Sequence, residues 1–285
     1  MPSSHEQEVE RWRAGRLRRL TGPDGWLSLV GLAWLHEGPN SVGSDPRSDV
    51  VLPAGKAPAR LGTIDLRDGR ATLQTEPDAG LEHDGRPVRA PLELRDDAGG
   101  AEPTVVTLGS LSFHLIRRDE ALAVRVRDSE NPARDGFRGI EHFPVDPRWR
   151  VEARFEPYDP PGVARAPTIL GSEETYAVPG ALAFRVGDAE LRLEPFLEPG
   201  ETDLFVVFGD LTNQSDTYEG GRYLYAEPPG PDGTVVLDFN RAYNPPCVFT
   251  PYATCALPLP ENRLPIRVEA GEKRYRPNGP PGSTG

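Results

Sequence analysis

Ala181-Leu-Ala-Phe-Arg-Val-Gly-Asp-Ala-Glu-Leu-Arg-Leu193 is the stretch on which the fold class turns. Two apolar-rich arms flank Gly187-Asp188, and a Gly-Asp pair between two such arms is a hairpin signal. Working outward, the same kind of short run recurs. Strands are predicted at Arg150 to Phe155, Ala181 to Val186, Glu190 to Pro195, Asp203 to Phe208, Tyr223 to Ala226, Val235 to Phe239 and Pro265 to Glu269. The flanks of Pro231-Asp-Gly233 read as a second hairpin. Toward the N-terminus, Val50 to Leu52, Leu61 to Leu66, Arg70 to Thr75, Pro103 to Leu108, Ser112 to Arg117 and Ala121 to Val126 are each bounded by Gly, Asp, Pro or Asn. No strand–helix–strand rhythm runs through them. The fold expected is mostly β: an N-terminal helix, a small β-sandwich, then a C-terminal antiparallel β-barrel or sandwich.

Composition supports this. Of 285 residues, 30 are Gly and 32 are Pro. Both break helix interiors, and short strands joined by many turns use them best. The one long helix is read over residues 5–20, with Ser4 as cap and Gln7 as its capping-box partner. Glu6, Glu8 and Glu10 come early and the arginines late, in accord with the helix dipole. Val9, Trp12, Arg16 and Leu20 mark one face, with Leu17 beside it. The organisation expected is 1–37 as helix and apolar segment packing on the body, 38–128 as the sandwich, 129–276 as the C-terminal β domain, and 277–285 as a disordered Gly/Pro-rich tail.

The formal net charge is −12. Residues 1–20 hold five Arg against three Glu, so the acidic excess belongs to the β body. Such a body repels a phosphate backbone, and nucleic acid is not expected as a partner. The longest apolar stretch, Trp26 to Leu35, is too short to span a bilayer, which takes about 20 residues. No membrane association and a cytoplasmic, reducing location are the expectation, with two cysteines too few for a disulfide scaffold.

No Walker loop, GxSxG elbow or HExxH is present, and the five histidines lack ligand spacing. No metal and no cofactor are implied. The densest polar constellation runs from Asp210 to Glu272. In a closed sheet, polar side chains there converge on either a wired core or a binding site. Arg222, following Gly220-Gly221, is a candidate for holding a carboxylate or phosphate, with Tyr218, Asn240, Tyr243 and Asn244 as further ligand-binding candidates. A structural salt bridge from Arg222 to Asp210 or Asp238 is the competing reading. Asn244-Pro245-Pro246-Cys247 presents a thiol on a fixed backbone, so Cys247 is the candidate nucleophile, with His142 and Asp238 as catalytic partners if the fold unites them. A small buried hydrophobe in a rigid loop, or a Cys247–Cys255 disulfide, are the alternatives. The function expected is binding of a small polar or anionic molecule in the C-terminal β domain. The alternatives are a hydrolase or transferase using Cys247 or His142, or a protein-interaction module through the sandwich.

Several segments together resemble an uncharacterised prokaryotic family, domain of unknown function number 1684. They are Gly25 to Leu35, Gly43 to Pro46, Asp238-Phe-Asn-Arg-Ala-Tyr-Asn-Pro-Pro-Cys247, Tyr252 to Cys255 and Glu261 to Leu264. That resemblance implies extent and compartment but no activity. Residues 38–128 are similar in their opening, Gly38 to Ser44 and Asp49 to Pro53, to forkhead-associated β-sandwiches. Ser44 stands where that family carries its phosphate-binding Arg, and Ala57 to Arg60 replace its Ser-x-x-His, so the resemblance implies a sandwich without phosphothreonine-binding residues.

Overall fold

The hairpin expected at 181–193 forms. Leu182 lies opposite Leu193 and Val186 opposite Ala189, with Gly187 at a φ of 58° in the turn. The structure, a computed structural model, describes residues 3–98 and 102–276, so the expected disordered tail lies outside the described residues. Its contacts divide the chain into two units, Arg19–Gly136 and residues 1–18 with 137–285.

Helix α1 spans Ser4–Thr21. Its capping box is one residue earlier than the sequence suggests. Ser3 Oγ accepts from the Glu6 N–H at 3.1 Å, and Glu6 Oε2 accepts from the Ser3 N–H at 2.6 Å. Ser3 and Ser4 are the same residue type, and the position with a glutamate three residues on wins. Val9 and Arg16 are buried on one face, while Leu17 is exposed.

The unit Arg19–Gly136 contains β1 (Leu29–Trp34), β2 (Gly38–Gly43), β3 (Val50–Val51), β4 (Gly62–Arg67), β5 (Arg70–Thr75), β6 (Glu82–His83), β7 (Arg86–Pro87), β8 (Leu92–Leu94), β9 (Val106–Leu108), β10 (Leu111–Arg118) and β11 (Ala121–Asp128). One sheet runs β1-β11-β10-β9-β6-β7 and the other β3-β2-β4-β5-β8. Ile64 and Leu73 of the second sheet share one apolar cluster with Phe113, Leu115 and Val124 of the first, which makes the unit a sandwich. The apolar stretch from Trp26 becomes a short 3-10 turn and then β1, paired to β11. Ser44 Oγ donates to the Ala57 carbonyl at 2.9 Å and so serves the loop it sits in.

In the other unit, β12 (Arg150–Pro167), β13 (Glu173–Val186), β14 (Ala189–Leu193), β15 (Phe196–Leu197), β16 (Leu204–Phe208), β17 (Arg222–Ala226) and β18 (Thr234–Asp238) follow α1 in sequence. The strand path is β17-β16-β15-β13-β12-β18, with β14 on β13. Every pairing in it is antiparallel. The two ends of this path, β17 and β18, approach each other, so the sheet curls into a half-barrel. Inside the curl lie Leu182, Phe184, Leu193, Val206, Phe208, Leu224, Leu237 and Phe239. Each fully buried side chain of this size contributes about 1.5–3 kcal/mol.

Two sequence expectations change here. Pro231-Asp-Gly233 does make a tight turn, closed by the Gly230 N–H on the Thr234 carbonyl at 2.9 Å. Its flanks do not pair, however: β17 bonds β16 and β18 bonds β12. Pro265 to Glu269, expected as a strand, runs as irregular chain. Its backbone groups are taken by side chains instead, the Val268 N–H by Asp210 and the Val268 carbonyl by Arg222.

Candidate functional site

The polar constellation between residues 210 and 272 separates into three wired clusters and one thiol cluster. Arg222, the first residue of β17, follows Gly221 at a φ of 89°. A Cβ on Gly221 would stand 2.4 Å from Pro258 Cγ and 2.7 Å from the Phe208 carbonyl oxygen, so only glycine brings the chain in here. The Arg222 side chain is wholly buried. Its Nη2 donates to Asp210 Oδ2 at 2.7 Å and to the Val268 carbonyl at 2.8 Å, and Nη1 donates to the Ala270 carbonyl. The Phe208 ring lies under the guanidinium at 5.3 Å. Burial lowers the Arg222 pKa, and the Asp210 charge opposes that shift. Asp210 also accepts from the Thr212 N–H at 2.8 Å, capping the 3-10 turn Leu211–Gln214.

Glu272 is the hub of the second cluster. It is fully buried and accepts from Arg16 Nε at 2.9 Å, from the Asn244 N–H at 2.7 Å and from Asn244 Nδ2 at 3.0 Å. Arg16 Nη2 closes the ring on the Asn244 carbonyl at 2.9 Å. The same guanidinium lies 4.3 Å from the centre of the Tyr243 ring, which also meets Trp12 at 6.2 Å. Burial pushes the Tyr243 phenol well above its ordinary value.

The third cluster surrounds Asp238. Its Oδ1 accepts from the Asn240 N–H at 3.2 Å and from Asn240 Nδ2 at 2.9 Å, capping the 3-10 turn Phe239–Arg241. Its Oδ2 meets His5 Nε2 at 2.8 Å. Asn240 is otherwise engaged with the Asp146 backbone, Nδ2 donating to the carbonyl and Oδ1 accepting from the N–H, both at 3.0 Å.

Cys247 lies elsewhere. Prolines 245 and 246 lead into the 3-10 turn Pro246–Val248, which turns the Cys247 N–H onto Cys255 Sγ at 3.1 Å. Cys247 Sγ stands 3.8 Å from the Tyr218 hydroxyl. Cys255 is buried and its segment is pinned: its carbonyl accepts from the Ile169 N–H at 2.9 Å, and Ala256 bridges Thr168. Tyr223 donates its hydroxyl to the Ala256 carbonyl at 2.8 Å. The Tyr218 ring lies flat on Gly220, where a Cβ would come within 2.5 Å of Cε1. The hydrogen bond from Cys255, aided by that from Tyr218, lowers the Cys247 pKa against the pull of burial. Burial first, then the neighbouring Cys247 sulfur, raises both the Cys255 thiol and the Tyr218 phenol. Of the three groups, Cys247 is the one whose pKa is lowered, while those of Cys255 and Tyr218 are raised.

The structure does not join Cys247, His142 and Asp238: among the described residues no hydrogen bond or ion pair links any two of them. His142 forms a backbone bridge with Glu272, and burial, with Arg13 nearby, lowers its pKa. Of the ligand-binding candidates, Arg222, Asn240 and Asn244 are buried; the Arg222 Nη atoms and the Asn240 and Asn244 Nδ2 atoms donate within the protein, while Arg222 Nε has no partner among the described residues. Tyr218 and Tyr243 keep partial exposure, as does Cys247. The sequence reading missed Tyr223, Glu272 as a hub, and the His5 contact. One signal for the hub was present: Arg16 sits in the apolar stripe of α1, and a cation there calls for a buried carboxylate. Among the described residues, no three of His, Cys, Asp and Glu form a group able to hold a metal ion, and no helix is long and apolar enough to cross a membrane.

Residues 135–273 match the family described as protein of unknown function (DUF1684). Residues 38–128 fall outside that segment. None of the curated proteins matches. Among solved structures, the chain is similar to the uncharacterized protein from gene locus rrnAC0354 of Haloarcula marismortui, determined by solution NMR. The two are 33% identical over 49% of this chain and 78% of that one, with a TM-score of 0.42.

Proposed function

We propose, from the premise that residues 135–273 of this chain belong to the DUF1684 family of unknown function, that the half-barrel unit carries a thiol-dependent small-molecule site with Cys247 as its nucleophile. The observation that carries the reading is the placing of one partly exposed sulfur between two proton-holding groups, Cys255 and Tyr218. A thiolate is the reactive form of cysteine, and hydrogen bonds to it raise its population at neutral pH. His142 and Asp238 are held in other contacts, so neither of them stands at the sulfur as a base for water. Transfer of a group to and from Cys247 is the chemistry assigned to these residues. As a thiol, Cys247 donates to the Tyr218 hydroxyl at 3.8 Å, and once the proton leaves, the hydroxyl turns to donate to the sulfur and steadies the thiolate. The small polar molecule expected from the sequence is then met at Cys247 and Tyr218, not at Arg222. A cytoplasmic, reducing setting keeps both sulfurs available.

The test is the pH dependence of iodoacetamide alkylation, read at Cys247 by peptide mass spectrometry. An unperturbed thiol has its midpoint at about 8.5. Cys247 is expected to alkylate with a lower midpoint, and Tyr218→Phe is expected to raise it. A Cys247 midpoint at or above the unperturbed value, unmoved in Tyr218→Phe, would overturn the reading.

A further inference from the structure

We infer that Cys247 and Cys255 form a dithiol–disulfide couple whose substrate is an external disulfide, with Cys247 attacking and Cys255 resolving. The inference rests on the reading of Cys247 as a nucleophile and adds the substrate class and the second sulfur.

The two cysteines are the only ones in 285 residues, and the fold brings them together. A Cys247 N–H at 3.1 Å from Cys255 Sγ places the second sulfur beside the first residue's backbone. The two ends are anchored independently. On one side, Asn244 is locked to Glu272 and to the Lys273 carbonyl, and the prolines stiffen the link to Cys247. On the other, the Ile169 and Thr168 contacts hold residues 255 and 256 against the end of β12. The pair therefore stays close as two free thiols, as a reversible couple requires. The division of labour follows from access: Cys247 is partly exposed and Cys255 is buried. An external reagent reaches the first sulfur, while the second is reached only from Cys247 itself.

The steps balance as follows. Cys247 thiolate attacks one sulfur of RSSR; the external S–S bond breaks and one RS⁻ leaves with the electron pair. Cys247 is now in a mixed disulfide with SR. Cys255 gives up its proton, attacks the Cys247 sulfur, and expels the second RS⁻ as the intramolecular S–S bond forms. One leaving thiolate takes up the proton that Cys255 gives up, and the other leaves as RS⁻, carrying away the negative charge that Cys247 brought. Two protein thiols are oxidised to one disulfide, and one external disulfide is reduced to two thiols. Resolution is favoured because the second sulfur is already a neighbour, at an effective concentration no free thiol matches.

The experiment treats the reduced full-length chain with oxidised glutathione, quenches in acid, and maps non-reduced peptides by mass spectrometry. The wild type is expected to yield a peptide linking residues 247 and 255 with no lasting glutathione adduct. Cys255→Ser is expected to retain glutathione on Cys247, and Cys247→Ser to show neither product. The wild-type map alone decides the matter should Cys255→Ser fold poorly. A wild type that accumulates glutathione on Cys247 without the internal link overturns the inference and leaves the nucleophile reading standing. A wild type with neither product, whose Cys247 also alkylates as an ordinary thiol, overturns both. Glutathione on Cys255 in Cys247→Ser at the wild-type rate overturns the assignment of roles.

Discussion

Asp210→Ala is expected to cost the half-barrel unit about 3–5 kcal/mol, the range for removing one partner of a buried ion pair. The structure shows why the loss belongs in that range. Without the carboxylate, the Arg222 guanidinium remains wholly buried with the neutral Val268 and Ala270 carbonyls and the distant Thr212 hydroxyl at 3.5 Å as acceptors. The Thr212 and Val268 N–H groups, which share the other carboxylate oxygen at 2.8 and 3.2 Å, lose their acceptor too. Each orphaned buried donor costs about 1–3 kcal/mol, but one carboxylate serves all three and relaxation is shared, so these do not add in full. Asp210→Asn keeps an acceptor for the two N–H groups and removes only the charge, at a cost of about 2 kcal/mol. Pairing it with Arg222→Met removes both charges and keeps an apolar stem on Phe208. The double variant is then expected to lose at least about 1.5 kcal/mol less than the two single changes summed. The assay is urea unfolding followed by tryptophan fluorescence in a Trp26→Phe, Trp34→Phe background, which leaves Trp12 and the buried Trp149 as reporters of this unit. An Asp210→Ala cost below about 1 kcal/mol, together with no coupling in the cycle, would refute the argument that the carboxylate holds the guanidinium in place.

Two further outcomes are expected. Gly220→Ala places a Cβ 2.5 Å from Tyr218 Cε1, so the ring must move and its hydroxyl leaves Cys247; the Cys247 alkylation midpoint should rise, with unfolding by urea changed by less than about 1 kcal/mol. Burial, aided by the Arg125 and Arg127 charges, holds His114 at about 4 against an ordinary 6.5. The folded unit sheds this proton while the unfolded chain binds it, so the sandwich should lose stability as pH falls from 6.5 toward about 4. His114→Gln should flatten that part of the thermal melting profile, and an unchanged pH slope in this variant would rule the histidine out as its cause.

Legibility in the sequence follows how local the determining forces are. The 181–193 hairpin is readable because two arms and a turn carry all the information. The long arms of β12 and β13 are not, since Glu156-Pro-Tyr-Asp-Pro-Pro-Gly162 has no strand periodicity; its pairing is interrupted between Pro157 and Gly162 and rests on the partner strand. The Pro231-Asp-Gly233 turn was visible, but which strands its flanks pair with depends on β12 and β16 far along the chain. The site shows the same limit. Arg222 after two glycines looks the same in sequence whether its donors face a ligand or backbone carbonyls 46 and 48 residues away. The thiols were legible as a pair with a rigid lead-in. Tyr218 is visible as a polar candidate but not as a neighbour of Cys247, and Tyr223 is not visible at all, because contacts 29 and 33 residues apart leave no spacing to read.

Helix α1 contacts residues that a ribosome adds more than two hundred positions later: His5 meets Asp238, and Arg16 meets Glu272. Residues 4–18 therefore emerge long before their partners and spend that interval as an orphan segment, while the Arg19–Gly136 sandwich has every partner it needs already made. The sandwich is in effect a domain inserted into a discontinuous one. Its own contacts end at Gly136, whereas the helix must close loops of more than two hundred residues to reach Asp238 and Glu272. Chain topology thus makes the insert's partners available during synthesis before those that the helix needs.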